Sequence, residues 1–286
     1  MTTTKQYEVL QWASLFLEKH NREARVAEIL LQHFLGVSRT NYYMGMREVI
    51  PERIIIPYKE AIRKHAETGV PVQHLIGKES FYGREFSVNE HVLVPRPETE
   101  ELVQYVIQAV QQSKPSEPVS LVDIGTGSGV IAISLALELP NATVYATDIS
   151  VQALSVAKNN AADLQADINF HQGDFLQPLI DKNIQADVVV SNPPYIPRTE
   201  EIALSDTVKN FDPELALFAD DDGLAAYKKI IIQSQKVVKP NTILAFEIGH
   251  QQSESVTSLI KTAFPNSRVK TIQDINGKDR IVAAEL

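Results

Sequence analysis

The sequence predicts an α/β protein: a mostly parallel, doubly wound sheet with helices on both faces, preceded by a small all-helical domain. Three observations carry this expectation. From Val119 onward, strand-length apolar runs alternate with helix-length stretches; the first of those runs ends in a glycine-rich turn; and the region before Val72 shows helical periodicity only. The length agrees, since 286 residues at roughly 150 per domain give about two domains. With 44% hydrophobic and 22% charged residues, the chain is not mainly disordered, collagenous or a disulfide scaffold.

At the start, Val9, Leu10, Ala13, Phe16 and Leu17 recur at helical spacing. Asn21 is placed to cap a second helix carrying Val26, Ile29, Leu30 and Phe34, which Gly36 ends. Pro51 opens another, with Ile54, Ile55, Tyr58 and Ile62 on one side and Gly69 at its end. Residues 1–72 are therefore read as a helical domain. Over residues 73–97, Phe81, Phe86, Val88, Val92 and Val94 stand among Gly77, Gly83 and Asn89, as in a β-hairpin linker. The main domain occupies residues 98–286. Thr99 is read as the cap of a helix through Val110, and residues 113–118 as a short polar linker.

Then come a strand at 120–124 and a helix at 130–139, a strand at 143–147 and a helix at 151–162, a strand at 186–191 and a helix at 223–238. A strand at 242–248 and a helix at 256–264 continue the series. The runs at 268–272 and 281–284 flank Asn276-Gly277, a turn signal that predicts a closing antiparallel hairpin. Asp220, Asp221 and Asp222 precede a predicted helix and read as a solvated cap favoured by its dipole.

Composition removes several function classes. With no cysteine, disulfides, thiolate zinc sites and cysteine nucleophiles are excluded. The 27 basic and 36 acidic residues leave a net charge of -9, which disfavours a protein built to grip nucleic-acid phosphates. Residues 1–20 have no apolar stretch of signal-peptide length, and the charge-free run 130–137 is far too short to span a membrane, so a cytoplasmic protein is expected. The seven histidines form no recognisable ligand spacing, so no metal is expected.

The chemistry is carried by four segments. Gly125-Thr126-Gly127-Ser128-Gly129 follows a strand and opens a helix, where glycines let the backbone turn sharply and approach a ligand. Its spacing is neither the dinucleotide fingerprint nor a P-loop, and a plain strand-to-helix turn would use glycine too. Asp148 ends the next strand about 20 residues on, where an acid takes ribose hydroxyls; capping the following helix is the plainer use. Asp174 and Phe175 follow the third strand, as an acid and an aromatic for adenine or as a turn and a core ring.

Ser191-Asn192-Pro193-Pro194-Tyr195 follows the fourth strand. Neither proline has an N–H, so this turn offers carbonyls and an asparagine amide without competing backbone donors. Such a turn suits an amino group on a conjugated carbon. As that nitrogen attacks an electrophile its lone pair leaves the conjugation and its N–H groups become more acidic, so fixed acceptors bind the transition state better than the ground state.

With Phe81-Tyr-Gly-Arg-Glu-Phe86, Val92-Leu-Val-Pro-Arg-Pro-Glu-Thr-Glu100 and Asn192-Pro-Pro-Tyr195, the chain resembles the class I S-adenosylmethionine-dependent methyltransferases, and within them the peptide chain release factor glutamine methyltransferases of the HemK or PrmC type. The likeness runs from about Pro71 to the C-terminus, including Glu247-Ile-Gly249 and Gly277-Lys-Asp-Arg280. It implies a Rossmann-like sheet with an antiparallel strand near the C-terminus. It implies S-adenosyl-L-methionine as cofactor and S-adenosyl-L-homocysteine as product. Gly125, Thr126, Gly127, Ser128 and Gly129 would face the methionyl part, Asp148 the ribose, Asp174 and Phe175 the adenine, and Asn192 would complete the cofactor set. Asn192 and the Pro193 carbonyl would accept the two amide hydrogens of a glutamine, with Pro194 and Tyr195 beside it. The implied partners are class 1 release factors, held in part by the helical domain, with no direct nucleic-acid binding. Phe211-Asp-Pro213 and Phe218-Ala-Asp220 depart from the family pattern. An adenine-N6 or cytosine-N4 nucleic-acid methyltransferase, facing the same conjugated amine, is the alternative enzyme. A protein that keeps the cofactor fold without catalysis is the other.

Overall fold

The computed structural model describes residues 4–114 and 117–286. The chain forms two compact units, one of residues up to Lys78 together with Ser205–Phe211, the other of Glu79–Leu204 and Asp212–Leu286.

The first unit holds α1 (Gln6–Lys19), α2 (Arg25–Leu35), α3 (Arg39–Met44), α4 (Glu52–Thr68) and α5 (Val72–Ile76). Apolar residues at helical spacing, including Val9, Ala13 and Leu17 on α1, Leu30 on α2, and Tyr58 and Ile62 on α4, meet in one buried cluster. The Tyr58 hydroxyl inside it donates to the Ala27 carbonyl at 3.0 Å. As expected, α2 and α4 end on left-handed Gly36 and Gly69. Asn21 does not cap α2. With φ of 57° it turns the chain after α1 and donates its N–H to the Glu18 carbonyl, using the left-handed tolerance of asparagine instead of its side chain. The start of the stretch read as hairpin linker is helical: α5 runs from the extended Pro71 cap to left-handed Gly77. In Ser205–Phe211, the Asp206 carboxylate takes a bidentate pair from Arg22 at 2.7 and 2.8 Å.

The next elements are β1 (Lys78–Phe81), β2 (Arg84–Ser87) and α6 (Pro97–Ser113). Pro115 and Ser116 of the expected polar linker lie outside the described residues. Then follow β3 (Val119–Ile124), α7 (Val130–Glu138), β4 (Ala142–Asp148), α8 (Val151–Asp163), β5 (Ile168–Gln172), α9 (Gln177–Asp181), β6 (Ala186–Ser191) and β7 (Ile196–Pro197). After α10 (Asp206–Phe211), which belongs to the first unit, come α11 (Glu214–Leu217), β8 (Phe218–Ala219), α12 (Ala225–Ser234), β9 (Val238–Glu247), α13 (Ser253–Ala263), β10 (Arg268–Gln273) and β11 (Asp279–Glu285).

Seven strands form one sheet in the order β10-β11-β9-β6-β3-β4-β5. The pairs from β9 through β5 are parallel, whereas β11 runs antiparallel to both β9 and β10. Alternate residues of the central strands enter opposite cores: Leu121, Val188 and Ala245 on one side, Val122, Val189 and Leu244 on the other. Because β3 is flanked by β4 on one side and β6 on the other, the connections leaving these strands diverge, opening a crevice at their carboxyl ends. β9 starts at Val238, earlier than its apolar run, because Val238 pairs with Ala186 before the register shifts to Ile243 against Val188. That pairing also cuts the expected helix at 223–238 back to α12.

Candidate active site

The glycine turn, the ends of β4 and β6 and the segment after α10 enclose a cavity of about 390 Å³, within the range of small-molecule sites. Gly125 and Gly127 line it with φ of 69° and 56°, and a Cβ on either would meet no atom within 4 Å. Their glycine identity thus answers the left-handed backbone. Gly129, with φ of 85°, shares that left-handed backbone and has a second reason, though it does not line the cavity: its Cβ would lie 2.9 Å from Ile133 Cδ1 and 3.1 Å from Ala157 Cβ, so it also permits α7 to pack against α8. Thr126 and Ser128 do line the cavity. The Thr126 hydroxyl donates to Asp123 Oδ2 at 2.7 Å, and burial pushes the Asp123 carboxyl up to about 7. The Ser128 carbonyl accepts from Asn160 Nδ2, which also holds the Ser87 carbonyl of β2.

Asp148 reaches the cavity from the end of β4. One carboxylate oxygen accepts the Gly127 N–H and the other the Ser150 N–H, each at 2.9 Å, leaving further lone pairs for a ligand's hydroxyls. Burial raises its pKa, and the Ser150 and Gly127 bonds oppose that rise. It is not the cap of α8, because Ser150 Oγ takes that part from Ala153 N. Asp174 and Phe175 also line the cavity, Asp174 in an ion pair with Lys229 and Phe175 under the Lys229 ammonium at 5.8 Å. A planar ring, an acid at the end of β4 and an open glycine turn fit S-adenosylmethionine in donor set.

Of the proline turn, Asn192 and Pro194 line the cavity, whereas Pro193 and Tyr195 do not. Tyr195 packs into the second core, and burial pushes its phenol up to about 12. Its carbonyl accepts Gln252 Nε2 at 3.0 Å. A short parallel pairing of β7 with β8 continues this turn into the opposite wall, where Pro213, Phe218, Ala219 and Asp220 line the cavity. The departures from the family pattern therefore fall partly on the wall of the site. Asp212 bonds Arg96 at 2.9 Å beneath it. Asp220 and Asp221 do not cap α12 with their side chains; their carbonyls accept from Ala225 and Leu224, and the Asp221 carboxylate pairs with Lys228.

Sequence reasoning missed two residues behind Asn192. Thr99, read as a cap, lies in the first turn of α6, whose cap is Arg96. Its hydroxyl donates to Glu247 Oε2 at 2.7 Å, and Asn192 Nδ2 donates to Thr99 Oγ1 at 3.3 Å. The signal available was an acid, Glu247, directly after the buried apolar run 243–246 of β9. Among the described residues no cluster of His, Cys, Asp or Glu is arranged to hold a metal, and no helix is long and apolar enough to cross a membrane.

Comparison with known proteins bears on the family. The family model of the PrmC N-terminal domain matches residues 8–77, and that of the methyltransferase small domain matches residues 104–210. The fold is that of an S-adenosylmethionine-dependent methyltransferase. The release factor glutamine methyltransferase of Bacillus anthracis is 46% identical over 280 residues, 98% of this chain and 99% of the relative. That of Bacillus subtilis (strain 168) is 44% identical over 279 residues, 97% and 96% of the two chains. The chain belongs to the release factor glutamine methyltransferase family. Among solved structures, the hMettl16 catalytic domain in complex with a 3′UTR hairpin is similar in fold, with a TM-score of 0.55 at 15% identity over 81% of each chain.

Proposed function

We propose that this methyltransferase acts on the side-chain amide nitrogen, N5, of the glutamine in the Gly-Gly-Gln motif of class 1 peptide chain release factors, in the cytoplasm. The observation that carries this reading is the Asn192 amide, tied back by its nitrogen so that its oxygen is the end left for a ligand in the cavity. S-adenosylmethionine, when bound, supplies a sulfonium methyl with a good leaving group. The residues of the chain have two tasks, orientation and polarisation. Gly125 to Ser128, Asp148, Asp174 and Phe175 hold the cofactor. Asn192 Oδ1 accepts one N–H of the target amide, drawing electron density onto nitrogen as conjugation is lost; the Pro193 carbonyl is assigned the other by the family resemblance, its residue standing outside the cavity lining. Pro194 restricts the turn, and Tyr195 supports it from the core rather than from the cavity. The spent proton passes to water from the N-methylated amide, so no strong base is required. The helical unit helps hold the protein partner. The net charge of -9 disfavours the nucleic-acid alternative.

Asn192→Ala is expected to leave cofactor affinity within a few-fold and to lower turnover by about 10²–10³, the scale of one lost preorganised hydrogen bond. Mass spectrometry of release factor incubated with enzyme and S-adenosylmethionine reads one added methyl on the Gly-Gly-Gln peptide. Unchanged turnover in the variant, or methyl found on nucleic acid and none on release factor, would overturn the reading.

A further inference from the structure

The bonds behind Asn192 have a direction, and that direction has a chemical consequence. Thr99, which lines the cavity, is 3% exposed and Glu247 2%, so the bond between them lies away from bulk solvent. The two ends of an asparagine amide are nearly alike in shape, and a half-turn exchanges oxygen for NH₂. Sterics therefore do not decide which end faces the cavity; the hydrogen-bonding character of the neighbours does. The Thr99 hydroxyl has a single proton. Once it donates that proton to the Glu247 carboxylate, Oγ1 retains only lone pairs toward Asn192. Only the NH₂ end of the amide can satisfy them, so Nδ2 turns inward and Oδ1 faces the cavity.

We propose that Thr99 and Glu247 are positioning residues that lock the Asn192 amide with its oxygen outward, making the site accept hydrogen bonds and reject donors. This inference rests on the reading of Asn192 as the acceptor for the substrate amide. It adds that the acceptor character originates at a buried carboxylate two bonds of the network away.

The protonation of Glu247 then sets the lock. Protonated, the carboxyl becomes a donor to Thr99 Oγ1 and releases the threonine proton to turn toward Asn192, which permits the flipped amide. Burial pushes Glu247 up to about 7. Several groups face it. From the start of α6 come Thr99, Arg96 and Glu98; Arg280 on β11 favours the charged form, as Arg96 does, and Glu98 opposes it. Tyr195 lies nearby in the proline turn, and the Tyr227 hydroxyl from α12 donates to the Glu247 backbone carbonyl at 2.8 Å. The competent form is the ionised one, so turnover falls as pH drops through about 7.

The test uses the full chain with full-length release factor, measuring kcat and KM for the release factor and cofactor affinity by calorimetry. Thr99→Val and Glu247→Gln are expected to lower kcat roughly three- to tenfold, less than Asn192→Ala, because the oxygen still faces outward part of the time. Cofactor affinity stays within about twofold, and Thr99→Ser recovers at least half of the turnover lost in Thr99→Val. Should either variant fail to fold, the wild-type profile decides: an acid limb in kcat with an apparent pKa near 7 supports the lock. In a folded Glu247→Gln enzyme that limb is absent. Unchanged kcat in Thr99→Val, a Thr99→Ser enzyme as impaired as Thr99→Val, or a wild-type kcat flat from about pH 6 to 8 overturns the proposal. An Asn192→Ala enzyme of full activity instead removes the reading on which it rests.

Discussion

Asp148 shows how a single side chain can hold structure and line a cavity together. Its two oxygens hold the glycine turn through Gly127 and the start of α8 through Ser150, while it remains at the cavity. Asp148→Asn keeps the size but gives up a charged acceptor, a loss of about 1.5–3 kcal/mol per hydrogen bond to charge. Calorimetry is expected to show cofactor affinity about 10- to 100-fold weaker, with kcat at saturating cofactor changed much less. An equal loss in kcat would mean that Asp148 acts on the reacting amide instead. Asp148 and Asn192 were legible as cavity residues because one ends a strand and the other directly follows one, in an order that the parallel sheet converts into proximity. Thr99 and Glu247 were not: they lie 148 positions apart, and no local pattern announces a bond of that separation. Gly129 was legible as a glycine of the sharp turn, but its second reason, the approach of α7 to α8, was not.

Among the elements, the proline turn is the one whose shape depends most on a neighbour. Gly223 has φ of 81°, and a Cβ there would fall 2.2 Å from the Tyr195 carbonyl oxygen and 2.6 Å from Gln252 Nε2. Both atoms belong to the hydrogen bond that holds the turn from behind. Gly223→Ala is therefore expected to cost on the order of 1–3 kcal/mol in stability and to reduce turnover beyond that of a surface change. Denaturant unfolding and methylation assays on the same preparation read both; wild-type values in each would show that the contact yields freely. At this scale the alternation of strands and helices was readable from apolar runs. The misreadings, α5 within the hairpin linker and the early start of β9, came where a capping proline or a partner strand outweighed local pattern.

For the whole molecule, stability should depend on pH through its buried acids. In the folded state Glu247 titrates near 7, against an ordinary value of 4.5. The folded chain thus binds a proton there that the unfolded chain has released, and this contribution to stability is full below about 4.5 and lost as pH rises through about 7. Asp123, raised to about 7 by the same cause, adds in the same direction. Glu247→Gln, unable to ionise, should gain several degrees in Tm relative to wild type between about pH 5 and 8. A constant difference across that interval would contradict the raised value. The two units carry a consequence of another kind. The polypeptide passes between them at Lys78, again at Ser205 and again after Phe211. Exchanging the residues up to Lys78 alone would therefore part Arg22 from Asp206, because the helical unit is completed by a segment more than a hundred positions further on.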